Sequence, residues 1–225
     1  MSKEIIKYGI IGSSGRLGSE VKNIFNEAKY NLVFQFDIDN EIFLDTPDLL
    51  IDCSLPVVFE RTLAFQEKFK VPLIIATTGL SNQQMQLLKD ISNKYPVVQS
   101  YNYSTGIQVL LKLAEIAYGK LSDWDIEISE THHRFKKDKP SGTAKMIQDV
   151  IKDKNVNISS LRLGNVAGDH TISFGGLGEV LSITHSATSR RTFAEGILKS
   201  ANFIINKKNG FYSFTDVIFN DKNGK

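Results

Sequence analysis

Cysteine is almost absent: Cys53 is the only one among 225 residues. That excludes a disulfide scaffold and a thiolate zinc centre, and leaves Cys53 to be read as a small buried apolar residue. An excess of charge of one sign is missing too. Lys plus Arg number 27 against 25 Asp plus Glu, a formal net charge of +2. A nucleic-acid binder would need a basic stripe to neutralise phosphates, and this balance argues against one. No apolar run approaches the roughly 20 residues that span a bilayer. The first residues, MSKEIIKYGIIG, run from a short hydrophobic stretch into glycines without a small-residue cleavage site. Internal repeats, low-complexity segments and an obvious linker are also lacking. The expectation is a soluble, cytoplasmic protein that binds neither nucleic acid nor membrane. What is present suffices for a core, at 41% hydrophobic and 23% charged residues. The length lies between one large domain and two modest ones.

The first half alternates short apolar runs with amphipathic stretches. Ile5–Ile11, NLVFQFD, DLLIDCS, VPLIIATTG and YPVVQSYN read as strands closed by polar or glycine residues. Arg16–Lys29, Val57–Phe69 and Asn82–Lys94 read as helices; in the first, Leu17, Val21, Ile24, Phe25 and Ala28 share a face. Strands separated by helices of this length imply βαβ units and a parallel sheet buried on both faces. The expected fold is α/β: a Rossmann-like doubly wound parallel sheet, plus a second α+β domain with a mixed open sheet. In that second part Ser104–Leu121 is helical, and WDIEISETHH alternates with period two. Trp124, Ile126 and Ile128 lie on one face and Asp125, Glu127 and Ser129 on the other. Ser160–Val166, His170–Phe174 and Val180–Ala187 follow as strands, Phe193–Ile205 as a helix, and FYSFTDVIF as a last strand. The expected bounds are 1–102, completed by 192–225, for dinucleotide binding, and 103–191 for substrate binding and oligomerisation.

YGIIGSSGRLG places Gly12, Gly15 and Gly18 in the turn between the first strand and the first helix. Glycines there let the backbone approach a pyrophosphate, and the helix start offers unpaired N–H groups to the anion. The spacing is G-x-x-G-x-x-G, with Ile10 where the usual first glycine would stand, a weaker match than the standard fingerprint. A tight turn that binds nothing is the bland alternative. Asp37 closes the second strand, where a carboxylate can accept hydrogen bonds from both ribose hydroxyls. Ile38, Asp39, Asn40 and Glu41 follow, so a 2′-phosphate would meet carboxylates with only Arg16 to answer them. NADH is therefore expected to be preferred over NADPH.

The densest chemical stretch is ETHHRFKKDKPSGTA, Glu130–Ala144. It starts at a strand end and finishes where a helix begins. There Ser141, Gly142 and Thr143 offer backbone N–H groups and two hydroxyls as a seat for a carboxylate or phosphate. His132, His133, Arg134, Lys136 and Lys137 lie just upstream. Three readings compete: a basic solvated loop, a zinc site, and a small-anion site. Zinc is disfavoured because His170 and His185 show no ligand spacing and no cysteine joins them. The anion-site reading makes a histidine the proton donor and a lysine the charge stabiliser, as a hydride acceptor bearing carboxylates requires.

This stretch resembles the signature of the bacterial dihydrodipicolinate reductase family, E-x-H-H-x-x-K-x-D-x-P-S-G-T-A, and meets every fixed position. Further blocks are similar in order along the chain: GSSGRLG, IDCS, ATTG, NYSTG, SLRLGNVAGDH and ITHSATSRRTFAEG. The resemblance implies reduction of the cyclic product of dihydrodipicolinate synthase to tetrahydrodipicolinate, a small dicarboxylate substrate, and a homotetramer. It also implies His132 as general acid or base and Lys136 as charge stabiliser or second proton donor. His133, Gly142 and Thr143 would hold the substrate carboxylates. Gly12, Ser13, Ser14, Gly15, Arg16 and Leu17 would cradle the pyrophosphate, and Asp37 the ribose. Ala76, Thr77 and Thr78, with Ser100, Tyr101, Asn102 and Tyr103, would line the nicotinamide pocket. The chain departs from the pattern at Ala76, commonly Gly, at Cys53, commonly Phe, and in a short stretch between Asp37 and Asp48 that implies a trimmed sheet edge. Arg190 could close the domains, bridge subunits, or simply lie on the surface. The rivals are another Rossmann oxidoreductase, such as an aspartate dehydrogenase, and a non-catalytic NAD-binding regulator.

Overall fold

The computed structural model describes residues 5–153 and 155–219. The chain begins β1 (Lys7–Ile11), α1 (Arg16–Glu27), β2 (Asn31–Asp37), β3 (Asn40–Phe43) and β4 (Leu49–Asp52). It continues α2 (Phe59–Phe69), β5 (Leu73–Ile75), α3 (Asn82–Ser92), β6 (Pro96–Gln99) and α4 (Thr105–Leu121). Then come β7 (Asp125–His132), α5 (Gly142–Ile151), β8 (Asn157–Arg162), β9 (Asp169–Gly175) and β10 (Val180–Ser186), and finally α6 (Arg191–Ile204), β11 (Gly210–Ser213) and α7 (Phe214–Phe219). Two compact units result: one holds the chain up to Tyr103 and from Arg190 onward, the other Ser104–Ser189. Residues 1–4 and 220–225, the outer ends of the expected nucleotide-binding part, lie outside the described residues.

The first unit is a seven-stranded sheet ordered β11-β6-β5-β4-β1-β2-β3. Every neighbouring pair is parallel except β2 and β3. Alternate residues of each central strand feed two cores. Tyr8, Ile10, Leu49 and Ile51 pack with α1, α6 and α7, whereas Ile11, Leu50, Leu73 and Ile75 pack with α2 and α3. This is the doubly wound arrangement expected from buried apolar strands alternating with helices.

The short stretch after Asp37 holds no helix, only one further four-residue edge strand. A turn at Ile38 and Asp39 sends the chain back as β3, pairing antiparallel with Asp37 opposite Asn40. FYSFTDVIF is not one strand: β11 stops at Ser213 and α7 begins. The reason is a reciprocal cap, with the Ser213 amide and hydroxyl donating to the Asp216 carboxylate at 2.8 and 2.7 Å and the Asp216 amide donating back to the hydroxyl at 3.1 Å.

The second unit is a four-stranded mixed sheet, β10-β9-β7-β8, with β7 and β8 parallel and the other pairs antiparallel. Strand β8 sits three residues earlier than the expected Ser160 start. Period-two alternation divides the sheet into faces. At one end of the inner face Ile128, Ile172 and Phe174 pack against Ile107, Leu110 and Leu111 of α4 and Ala144, Ile147 and Ile151 of α5. The other end of that face is polar.

Phe25 on α1 has no exposed surface, and its ring lies 4.8 Å from Tyr8 and 5.0 Å from Tyr30. Phe25→Ala should therefore cost about 3–5 kcal/mol. That lowers the thermal midpoint by on the order of 10 °C for a chain of this size, readable by circular dichroism.

Candidate active site

In the first unit the residues expected to hold a dinucleotide lie at the carboxyl ends of four strands, β6, β5, β1 and β2. That edge is where open α/β sheets bind ligands, at the point where strand order reverses; here the reversal falls between β1 and β4. Gly12 has φ +81°, and a Cβ there would lie 2.8 Å from the Cys53 carbonyl. A Cβ on Gly18 would lie 2.1 Å from the Gly12 oxygen. Both positions must be glycine for the turn to fold tightly onto β4 and α1. Gly15 caps α1 without any side-chain bond, so the opening amides at Arg16 and Leu17 meet no capping side chain. Uncapped amides at a glycine turn of this kind are what a pyrophosphate would need.

Asp37 behaves in an unforeseen way. Its carboxylate accepts from the Ser13 hydroxyl at 2.6 Å, the Ser14 hydroxyl at 2.8 Å and the Ser14 amide at 3.1 Å. Burial raises its pKa, but these bonds and the charge of Lys22 outweigh that and hold the group below the usual carboxylate range. Asp52, absent from the expected site, organises the neighbouring loops. Its buried carboxylate accepts from the Ser54 amide and hydroxyl, Thr62 and Thr77, and its carbonyl accepts from the Ala76 and Thr77 amides. Thr78 is exposed. After β6, the Ser100 hydroxyl donates to the Asn102 carbonyl at 2.9 Å, Tyr101 is exposed, and the buried Tyr103 hydroxyl donates to Ile75 at 2.8 Å.

In the second unit the polar end of the inner face carries the chemistry. Strand register aligns Ser160 of β8, Glu130 of β7, His170 of β9 and His185 of β10 in one row, with His132 opposite Arg162 in the next. Glu130 is the hub. Its side chain has no exposed surface, yet it accepts from His132 Nδ1, from both terminal nitrogens of Arg162 at 3.0–3.1 Å, and from the Ser141 amide at 3.3 Å. Burial works to raise its pKa, but the hydrogen bonds from His132 and from the Arg162 guanidinium outweigh it, so it stays ionised. Arg162 also donates from Nε to the Lys136 carbonyl at 3.1 Å and from Nη2 to the Asp138 carbonyl at 2.5 Å. The loop bearing Lys136 is thereby tied to the same carboxylate.

His132 is buried, and its ring meets His170 edge-on at 5.0 Å. Burial pushes it below the ordinary histidine value, further than Glu130 raises it, and Lys136 and Arg162 push the same way. Burial and the neighbouring His132 take His170 down to about 3. His170 Nε2 contacts the Ser141 hydroxyl at 3.3 Å, while His185 Nε2 contacts that of Ser104 at 3.0 Å. Those serines are the N-caps of α5 and α4. Lys136 Nζ pairs with Asp138 at 2.9 Å. Gly142 and Thr143 form the first turn of α5, and His133, just past β7, is half-buried with its ring 6.3 Å from Phe135.

His170 stands beside His132 although nothing in their chain spacing showed it. Ligand atoms of Glu130, His132 and His170 lie within 4.8 Å of one another. Arg162 already occupies that carboxylate with positive charge, which opposes a cation there. Glu130 and His132, two apart on a strand, could be placed on one face from sequence. Arg162, His170 and Asp52 could not, because strand register brings them in.

Residues 6–103 match the family description "Dihydrodipicolinate reductase, N-terminus", and residues 106–218 match "Dihydrodipicolinate reductase, C-terminus". The chain belongs to the dihydrodipicolinate reductase family. Membership makes it an oxidoreductase. It is 44% identical over 213 residues to the 4-hydroxy-tetrahydrodipicolinate reductase of Thermosipho africanus, covering 95% of this chain and 98% of that one. It is 37% identical to the enzyme of the same name from Helicobacter hepaticus, covering 95% and 99%. The fold is similar to a dipicolinate-bound dihydrodipicolinate reductase from Paenisporosarcina sp. TG-14, with TM-score 0.73, 24% identity, and 93% and 98% of the two chains covered. An aspartate dehydrogenase from Thermotoga maritima is less similar, with TM-score 0.52 at 14% identity over 93% and 100%.

Histidines held neutral by burial make stability depend on pH. Their folded pKa values lie below the unfolded value near 6.5, so the unfolded chain binds more protons and stability falls as pH drops through that window. For His170 the loss runs from about pH 6.5 down to about 3 and reaches on the order of 2–3 kcal/mol at pH 4.5. Urea midpoints at pH 7 and 4.5 should separate clearly, and His170→Gln should narrow the gap.

Proposed function

We propose that the protein reduces 4-hydroxy-tetrahydrodipicolinate, or the dihydrodipicolinate formed from it, to tetrahydrodipicolinate on the route to diaminopimelate and lysine. NADH is the preferred reductant, with NADPH the poorer one. The observation that carries the reading is the buried Glu130–His132 pair next to the N-cap of α5, with Lys136 tied to it through Arg162. Family membership and the names of the relatives support the same substrate.

Each unit contributes its own equipment. In the first, the bare turn from Gly12 to Leu17 holds the pyrophosphate, and Asp37 faces the ribose with its charge retained. Loops Ala76–Thr78 and Ser100–Tyr103 border the nicotinamide. When bound, that ring supplies a hydride to the unsaturated substrate ring. In the second unit, the α5 amides at Gly142 and Thr143, the Ser141 hydroxyl and His133 receive one carboxylate of the substrate. Lys136 exchanges Asp138 for the other. His132 is neutral before substrate arrives. The two incoming carboxylates favour its charged form, so binding takes up a proton that His132 then delivers to the enamine carbon. We further infer a cytoplasmic homotetramer. The outer face of the second sheet supports it, where cross-strand hydroxyl pairs Thr171–Thr184 and Ser173–Ser182 lie on the same face as exposed Leu161.

The test is NADH oxidation at 340 nm, with substrate generated in place by dihydrodipicolinate synthase. His132→Gln should lower kcat by about 10²–10⁴-fold with little change in KM, whereas Lys136→Ala should worsen both. Turnover of His132→Gln within a few-fold of the natural protein would contradict the role assigned to it. In the same assay kcat/KM should be clearly higher with NADH than with NADPH, because a 2′-phosphate meets the ionised Asp37. Equal efficiencies would remove that reading.

A further inference from the structure

The hydrogen bond between Glu130 and His132 has only one workable direction. An ionised carboxylate accepts and cannot donate, and Arg162 places a permanent positive charge on Glu130 through two nitrogens. His132 Nδ1 must therefore carry the hydrogen. In the neutral ring this leaves the lone pair on Nε2, which lies alongside the backbone of Gly168, where even a Cβ would stand 3.1 Å away. We propose that Glu130, charge-compensated by Arg162, is a positioning residue: it fixes His132 in the Nδ1–H tautomer and makes Nε2 the atom that exchanges a proton with substrate. The inference rests on reading His132 as the proton donor, and goes further by assigning the nitrogen and the residue that selects it.

Charge compensation matters because of the substrate. A bare carboxylate beside a site for a dicarboxylate would repel it, so Glu130 can serve the imidazole only if its own field is cancelled. Arg162 does this from behind. It comes from β8 with a side chain only 15% exposed, and its remaining donors hold the carbonyls of Lys136 and Asp138. One guanidinium thus coordinates the positions of both proton-handling groups. The charged and titratable groups facing the His132 ring are Glu130 on its own strand, Arg162 from β8, His170 from β9, and Lys136 with its partner Asp138 from the following loop. His170 carries no charge across the working range, so it bounds the ring without competing for the proton.

The test begins with the full-length natural protein, with no variant and no substrate. Nitrogen-15 NMR of the histidine rings should find neutral His132 protonated at Nδ1 and bare at Nε2. Glu130→Gln should reverse this, since the Gln amide can donate to Nδ1. The variant should lower the pKa of His132, displace the acidic limb of the kcat/KM profile, and reduce kcat by about 10²-fold or more with little change in KM. Glu130→Asp should restore the tautomer in part. A natural protein whose His132 carries its hydrogen on Nε2 overturns the proposal whatever the activity, and needs no variant to fold. So does a Glu130→Gln variant that loses thermal stability but keeps the tautomer, the pH profile and kcat, for then Glu130 is merely structural. The correct tautomer together with undiminished turnover of His132→Gln would instead sink the acid–base reading beneath both claims.

Discussion

A carboxylate with no exposed surface stays in a fold only if its charge is matched and its lone pairs are filled. Glu130 is such a group, and much of the second unit is arranged around that requirement. Arg162 supplies the charge, while His132 and the Ser141 amide supply further donors. The consequences reach well beyond the pair. Arg162 can hold Glu130 only if β8 lies parallel to β7 in the observed register, and its spare donors then fix the loop that carries Lys136. The Ser141 amide can reach Glu130 only if α5 begins there. Sheet register, loop path and helix start are thus consistent with a single buried charge.

The first unit solves a different problem. It must leave backbone bare at the ends of its strands while keeping those ends rigid. Gly12 and Gly18 let the turn fold onto β4 and α1, and Asp52 ties the end of β4 to Thr77 and thus to the loop after β5. Asp37 meanwhile spends its acceptors on Ser13 and Ser14. The glycine turn and the carboxylate that ends β2 are therefore mechanically linked.

The parts legible in the sequence were those set by local periodicity. Apolar runs bounded by glycine or polar residues marked the central strands, NLVFQFD to the residue, and the spacing of Val21, Ile24 and Phe25 marked α1. Misreadings fell where a local polar signal was overlooked or where pairing partners decided the bounds. Ser213 and Asp216 cap α7, so that segment turns helical despite its β-rich composition. Strand β3 exists because the turn at Ile38 and Asp39 lays it against β2, although its own residues are exposed.

The sequence by itself determined the α/β class, the glycine turn, the acidic end of β2, and the short motif that brings His132, Lys136 and Ser141 within fifteen residues. Those features depend on neighbours along the chain, and spacing is enough to read them. Only the tertiary structure decided which groups control His132. Arg162 lies 30 residues away along the chain and His170 lies 38 away, and nothing local predicts that β8 and β9 flank β7 in the register that delivers them. That register is set by packing Ile128, Ile172 and Phe174 against α4 and α5. A one-residue slip would turn the polar row outward along with the core. The hydrophobic end of the sheet therefore aligns the charged end.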